Sequence, residues 1–320
     1  MNVTYREYQA ARPEWLTSGV RDFGNLDLYG WFDLHVPART SGHRGMNVHR
    51  CHLAEDYTRV FGLATDPRRL AVAEGVRDAL GVLMDYWRTR RWAIPADQYP
   101  WYARAAEERL GDWTPWTTNP HASSWSLDER AEVVLLCYPL KPFGVPMPAS
   151  MEQSLDRWLS ADLSRHLVVD AAYAVSFDDP WLSRVRTNEQ IVVTHSLSKP
   201  FAAPLRAGFV HTHHDDLREL FTSRERWPLV EQAYVVLNQI PHVKDELADR
   251  LRSAYEGAAA ESPWPLPPLD PVNPSYLFHL PDADWHELYD AGFLTIPASV
   301  YGIHSGVVVS TLGAERRMSG

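Results

Sequence analysis

From about residue 64 onward the chain alternates short apolar runs with amphipathic segments. VVLL and LVVD are almost wholly apolar, the pattern of strands buried on both faces. Five segments read as strands: RWAIP, AEVVLLCYP, HLVVDAAY, QIVVTHS and RAGFVHT. Between and after them, WYARAAEERLG, MEQSLDRWLSADL and a segment opening near HDDLRELF read as helices. Strands alternating with helices predict an α/β unit over about 64–225, with a mainly parallel sheet and right-handed crossovers. In LATDPRRLAVAEGVRDALGVLMDYW, Leu70, Val72, Val76, Leu80, Leu83 and Met84 recur at helical spacing. Thr65 or Asp66 can cap that segment and Pro67 suits a first turn, so the spacing predicts a helix over 66–88.

A long helical stretch follows, WPLVEQAYVVLNQIPHVKDELADRLRSAYEG, which Pro241 should kink or divide. The proline-dense ESPWPLPPLDPVNP marks a boundary, after which SYLFHL, FLTIP and GVVVSTL read as strands around the helix ADWHELYDAG. Residues 1–63 lack clear periodicity and read as an irregular arm. The expected division is therefore 1–63, 64–260 and 261–320.

Composition narrows the function classes. Apolar residues make up 45% and charged residues 22%, which are ordinary globular values, while a net charge of -10 argues against a nucleic-acid partner. No apolar run reaches the roughly 20 residues that span a bilayer, and the N-terminus lacks a signal-type apolar stretch, so no membrane partner and a cytoplasmic location are expected. Two cysteines, Cys51 and Cys137, are too few for a disulfide framework or a zinc site. HTHHDD at 211–216 carries metal-ligand residue types but reads as a solvated turn, so no metal is expected.

Candidate chemistry centres on THSLSKPFAAPLRAGFV at 194–210. A lysine beside a buried strand end is aimed by that strand and partly desolvated, which suits it to carbonyl chemistry. Ser196, Ser198 and Arg206 supply hydroxyls and a planar fork suited to a phosphate. The same residues also suit an ordinary strand end whose polar groups face water. Upstream, the strand HLVVD ends in Asp170, with Tyr173 three residues on. A carboxylate and a phenol there suit a ring nitrogen and a ring oxygen, or need no ligand at all.

Ser-x-Ser-Lys with a nearby Arg-x-Gly resembles the cofactor-lysine signature of class I and II aminotransferases, including the histidinol-phosphate aminotransferase group. The resemblance implies an α/β protein of fold type I, using pyridoxal 5'-phosphate (PLP), with a smaller α+β domain built from both chain ends. It implies Lys199 as the Schiff-base lysine and general base, Arg206 and the serines as phosphate ligands, Asp170 on the pyridine nitrogen and Tyr173 on the ring oxygen. PADQYPWY is similar to the family's segment that stacks a tyrosine on the cofactor ring, which implies Tyr99 in that place and leaves Tyr102 as packing. The start of LATDP stands where the family has its phosphate turn, implying the amides of Ala64 and Thr65 as ligands.

Departures from the pattern are equally informative. Arg206 follows the lysine by seven residues where the family has eight, and the arm shows no recognisable helix ahead of the phosphate turn. YPLKPFG puts Lys141 where the family has an asparagine on the ring oxygen; the lysine either pairs with that oxygen or points to solvent. AGFLTIPASVYG resembles the family's C-terminal Pro-Gly segment, and the alignment puts Val308 where the family carries the arginine that grips a substrate carboxylate. Unless Arg39 or Arg44 of the arm takes that role, the expected substrate is an amine, or an amino acid whose carboxylate is masked or bound unconventionally. The resemblance implies a homodimer and, first, an aminotransferase of biosynthesis. A lyase, decarboxylase, condensing enzyme or oxidative deaminase shares the same residues, and a non-catalytic binding module is the reading of another class.

Overall fold

The structure, a computed structural model, describes residues 3–17, 19–26, 28, 31–37, 46–63, 66, 68–121, 125 and 127–312. The arm holds two helices that its pattern did not predict, α1 (Tyr5–Trp15) and α2 (Met46–Phe61), with the short strand β1 (Arg21–Asp22) between them. α1 starts on a reciprocal cap: Thr4 Oγ accepts the Glu7 amide, and the Glu7 carboxylate accepts the Thr4 amide. Tyr8 is its single buried side chain, so no apolar stripe exists to betray it. α2 does carry a stripe, burying Leu53, Ala54, Tyr57, Val60 and Phe61. The helix absent from the sequence reading is thus present ahead of the first sheet strand.

The helix expected over 66–88 divides into strand β2 (Leu70–Ala73) and helix α3 (Val76–Tyr86). Leu70 and Val72 fit either period, and pairing with the distant segment Gly208–His211 decides for strand. Gly75 makes the turn between them at φ +89, a conformation that costs other residues a Cβ clash. The chain continues through β3 (Arg91–Pro95), α4 (Trp101–Arg109), β4 (Asp112–Trp116), β5 (Val133–Cys137), α5 (Ala149–Ala161), β6 (His166–Ala171), β7 (Ile191–Ser196), β8 (Gly208–His211) and α6 (Asp215–Arg224). These strands form one seven-stranded sheet in the order β2-β8-β7-β6-β5-β3-β4. β4, β3, β5, β6 and β7 run parallel; β8 is antiparallel to both β7 and β2. β4 was not foreseen because Pro115 interrupts its pattern, and it lies at the sheet edge where a missing N–H is tolerated.

Successive residues of the central strands point to opposite faces. Val134, Leu136, Leu167, Val169 and Val193 join a core with residues of α2, α5 and α7 (Trp227–Leu237). Val133, Leu135, Val168 and Val192 join a second core with residues of α3, α4 and α6. Helices on both faces are why these strands read as continuous apolar runs. The helical stretch near Pro241 breaks as expected, α7 ending at Leu237 and α8 (Ile240–Glu261) starting with Pro241 in its first turn. The C-terminal elements are β9 (Leu277–Leu280), α9 (Trp285–Asp290), β10 (Phe293–Leu294), β11 (Ile296–Pro297) and β12 (Val307–Ser310). β11, β12 and β9 form an antiparallel sheet, and β10 pairs in parallel with β1, so the two ends of the described chain meet.

HTHHDD is not a solvated turn. His211 is buried, neither of its ring nitrogens has a hydrogen-bond partner, and burial lowers its pKa to about 3. His214 packs edge-on against His166 at 4.6 Å between ring centroids, and His166 lies flat on Trp87, also at 4.6 Å. This cluster sits at the N-terminal end of β6, away from the strand ends described next. Among the described residues no group of His, Cys, Asp and Glu is placed to hold a metal, and no helix is long and apolar enough to cross a membrane.

Candidate active site

The C-terminal ends of parallel strands are where open α/β sheets gather their chemistry. Here β5, β6 and β7 end in register: Cys137 stands beside Asp170 and Asp170 beside Thr194, while Ser196 pairs with Gly208 of β8. The register brings the carboxylate, the serines and the lysine after them to one edge.

β3 separates from β5 after two register pairs, Trp92 with Val133 and Ala93 with Val134. Pro95 has no N–H to continue the ladder, and side chains take over. The Trp116 indole donates to Leu135 O at 3.1 Å, and Gln98 makes two hydrogen bonds to the Cys137 backbone, accepting from its N at 2.9 Å and donating to its O at 3.1 Å. Gln98 thereby ties the PADQYPWY loop to the end of β5. Sequence reading missed Gln98, because a lone glutamine in a loop carries no periodic signal.

That tie sets Tyr102 against Asp170. Tyr102 is not mere packing: fully buried on α4, its hydroxyl donates to Asp170 Oδ2 at 2.6 Å. Burial pushes the Asp170 carboxyl up to about 6, while the Tyr102 hydroxyl, the Ala172 amide at 3.0 Å and the Lys199 charge draw it back. Lys199, in the turn directly after β7, is exposed and within electrostatic range of that carboxylate. Cys137 is buried beside Asp170 and Tyr102, and burial keeps its thiol protonated.

Ser196 is buried at the end of β7; its Oγ accepts the Ser198 amide at 3.1 Å and lies 2.9 Å from Ser198 Oγ. Arg206 is exposed and makes no ion pair or hydrogen bond among the described residues. Two residues on, Gly208 packs so closely on the α3 start that a Cβ would stand 2.8 Å from Gly75 C and 3.0 Å from Val76 N. The serines, the Arg206 loop and the N-terminus of α3 therefore converge. Ala64 and Thr65 lie outside the described residues, and the helix they were expected to open begins instead at Val76. Gly75, between an apolar run and an amphipathic one, was the available signal.

Tyr99 is half-buried, with the Arg77 guanidinium 5.2 Å from its ring centre and Tyr102 edge-on at 5.5 Å. Tyr173 is half-buried in the turn after β6, edge-on to Tyr276 at 6.1 Å. Lys141 points inward rather than to solvent: it is buried, its Nζ donates to Ser275 Oγ at 2.7 Å, and it lies 4.9 Å from the Tyr173 ring centre and 4.6 Å from that of Tyr276. Burial lowers its pKa to about 7. Gly302, left-handed at φ +77, closes the PASVYG turn directly over the Ala96 carbonyl. Val308 is fully buried on β12, in register with His279 of β9. Arg39, Arg44, Arg316 and Arg317 lie outside the described residues.

No family model matches the chain. It is 25% identical over 183 residues to histidinol-phosphate aminotransferase 2 of Archaeoglobus fulgidus, covering 55% of this chain and 46% of that relative. The chain spans about half the length of the curated relatives it matches. In structure it is similar to the substrate-bound BacF of Bacillus subtilis, with a TM-score of 0.72 over 99% of this chain and 94% of the other at 16% identity. It is also similar to the PLP-bound C-S lyase of Staphylococcus hominis, with a TM-score of 0.64 over 89% and 81% of the two chains at 13% identity. The fold is therefore fold type I, that of the PLP-dependent aminotransferases, and the α/β expectation stands.

Proposed function

We propose that this fold type I chain is a PLP-dependent enzyme acting on an amine or amino-acid-derived substrate through Lys199, in the first place an aminotransferase of biosynthetic metabolism. The observation that carries the reading is the buried Asp170 carboxylate, hydrogen-bonded by Tyr102 and faced by Lys199 at the end of the central strands. A buried carboxyl at about 6 is poised to hold a proton on a basic ring nitrogen. The cofactor fits the remaining groups as well. Arg206 is exposed and pairs with no carboxylate among the described residues, Ser196 and Ser198 offer hydroxyls, and the start of α3 packs against Gly208 two residues on, a donor set suited to a phosphate. The α3 start takes the part first expected of Ala64 and Thr65.

PLP, when bound, supplies an electron sink that stabilises charge left on the substrate carbon next to nitrogen. The chain's own residues do the rest. Tyr99 would offer the ring an aromatic face, and the Tyr173 phenol and Lys141 would serve its oxygen. Asp170, held by the Tyr102 hydroxyl, would keep a proton on the ring nitrogen. Lys199 Nζ would take the proton from the substrate carbon and return it. The reading includes a soluble cytoplasmic homodimer and a division into 1–63, 64–260 and 261–320, the first and last parts forming the smaller domain.

The test is borohydride reduction of PLP-loaded protein followed by peptide mapping. The expected result is a visible absorbance that shifts on reduction, with the label on the peptide containing Lys199. A label on Lys141, or no chromophore at cofactor saturation, overturns the reading. Incubation with amines and 2-oxo acids then fixes the reaction: amino transfer to the oxo acid makes it an aminotransferase, and carbon dioxide, an eliminated product or oxygen uptake makes it one of the alternatives.

A further inference from the structure

Among the described residues Lys141 is the single lysine or arginine that is buried, and no carboxylate lies within ion-pairing distance of it. Its one hydrogen bond, to Ser275 Oγ, leaves two donors unused, since Ser275 spends its own hydrogen on Leu277 O at 2.7 Å. The faces of Tyr173 and Tyr276 offset only part of what burial costs the ammonium, and binding an anion relieves the rest. The side chain borders the site already described, for its Nζ lies 4.9 Å from the ring centre of Tyr173, in the turn after β6. It is also turned toward the C-terminal sheet. Ser275 and Tyr276 lead into β9, which pairs with β12 through His279 and Val308, and Tyr276 and Val308 both join the large core.

We propose that Lys141 is a specificity-determining residue whose ammonium receives a carboxylate of the substrate, so that the substrate class is an amino acid held by a single point charge rather than by an arginine fork. This rests on the PLP reading above. A single ammonium has no planar fork to match, so it fixes the charge of the acid group more strictly than its orientation. The two aromatic rings of Tyr173 and Tyr276 flank the ammonium and limit how bulky that acid group's neighbourhood can be.

The test compares two aminooxy reagents that differ by one carboxylate, aminooxyacetate and O-methylhydroxylamine, on PLP-loaded protein. Each condenses with the cofactor's aldehyde carbon: a carbon–nitrogen bond to the reagent forms, the bond to Lys199 Nζ breaks, and the lysine leaves as free amine. Loss of the protein chromophore reads the rate without any turnover. Relative to the same two reagents on free PLP, wild type should favour aminooxyacetate about tenfold, the effect of one charge-assisted contact. Lys141→Gln and Lys141→Met should bring the preference to that of free PLP, while Lys141→Arg retains part of it. A bound chromophore in each variant, whatever its wavelength, shows that it is folded and loaded. If wild type shows no preference, or Lys141→Gln keeps it, the inference is overturned while the PLP reading stands. If no chromophore forms on Lys199 at all, the PLP reading falls and this inference with it.

Discussion

Tyr102 Oη donates a 2.6 Å hydrogen bond to Asp170 Oδ2, linking the first turn of α4 to the C-terminal end of strand β6 beside the buried thiol of Cys137. Removing that donor leaves a buried carboxylate short of one partner. Its proton affinity then rises above the present value of about 6. In the cofactor-free protein Tyr102→Phe should therefore raise the titration of Asp170 by about one pH unit, a shift that one charge-assisted bond accounts for. Urea unfolding from about pH 4 to 8 follows it, and an unmoved titration would sink it.

Asp170 itself gives a prediction with a sign. Its folded value of about 6 stands above its ordinary value of 3.8, so the folded chain binds the extra proton between those pH values. Stability then falls as pH rises through that window, with the loss complete above it. Asp170→Asn keeps an acceptor for Tyr102 and removes the buried charge. The cofactor-free variant should be more stable than wild type at pH 7.5 by up to about 3 kcal/mol, with the difference gone near pH 4. Urea unfolding at the two pH values measures it. Turnover should be lost in Asp170→Asn and Asp170→Ala alike, and full turnover in either would remove Asp170 from the mechanism.

Gly208 has no room for a side chain, because a Cβ there would meet the Gly75 and Val76 backbone at 2.8 to 3.0 Å. Gly208→Ala should push the Arg206 loop off the start of α3 and weaken PLP retention by about tenfold or more, while costing on the order of 1–3 kcal/mol in stability. Equilibrium dialysis of cofactor against variant and wild type separates the two effects. Wild-type retention would mean that the cradle does not use this contact.

Tyr57 on α2 reaches His195 Nδ1 at 3.0 Å, and His195 Nε2 lies 2.9 Å from the Ala174 carbonyl, so a neutral imidazole bridges arm and sheet. Burial lowers its pKa to about 4. Tyr57→Phe strands a buried acceptor and should destabilise by about 1–3 kcal/mol, with little effect on kcat. Urea unfolding again provides the number, and an unchanged midpoint would show that Nδ1 finds another donor.

The sequence by itself determined what rests on local pattern and residue chemistry. Continuous apolar runs placed five of the sheet strands because both faces of those strands are covered, and Pro241 placed the break between α7 and α8 because proline removes a helix donor. The positions of Asp170, Tyr173, the Ser-x-Ser pair and Lys199 at or just after strand ends were legible because short offsets from a strand survive whatever surrounds them. What only the tertiary structure decided depends on partners distant in the chain. Leu70–Ala73 is a strand because β8 pairs with it, and so the helix expected from residue 66 starts at Val76 instead. Tyr102 is a ligand of Asp170 rather than packing because Gln98 ties its loop to Cys137, 39 residues on. Lys141 turns inward because Ser275 and Tyr276 wait for it from 134 and more residues away, and no local pattern records a contact across that separation.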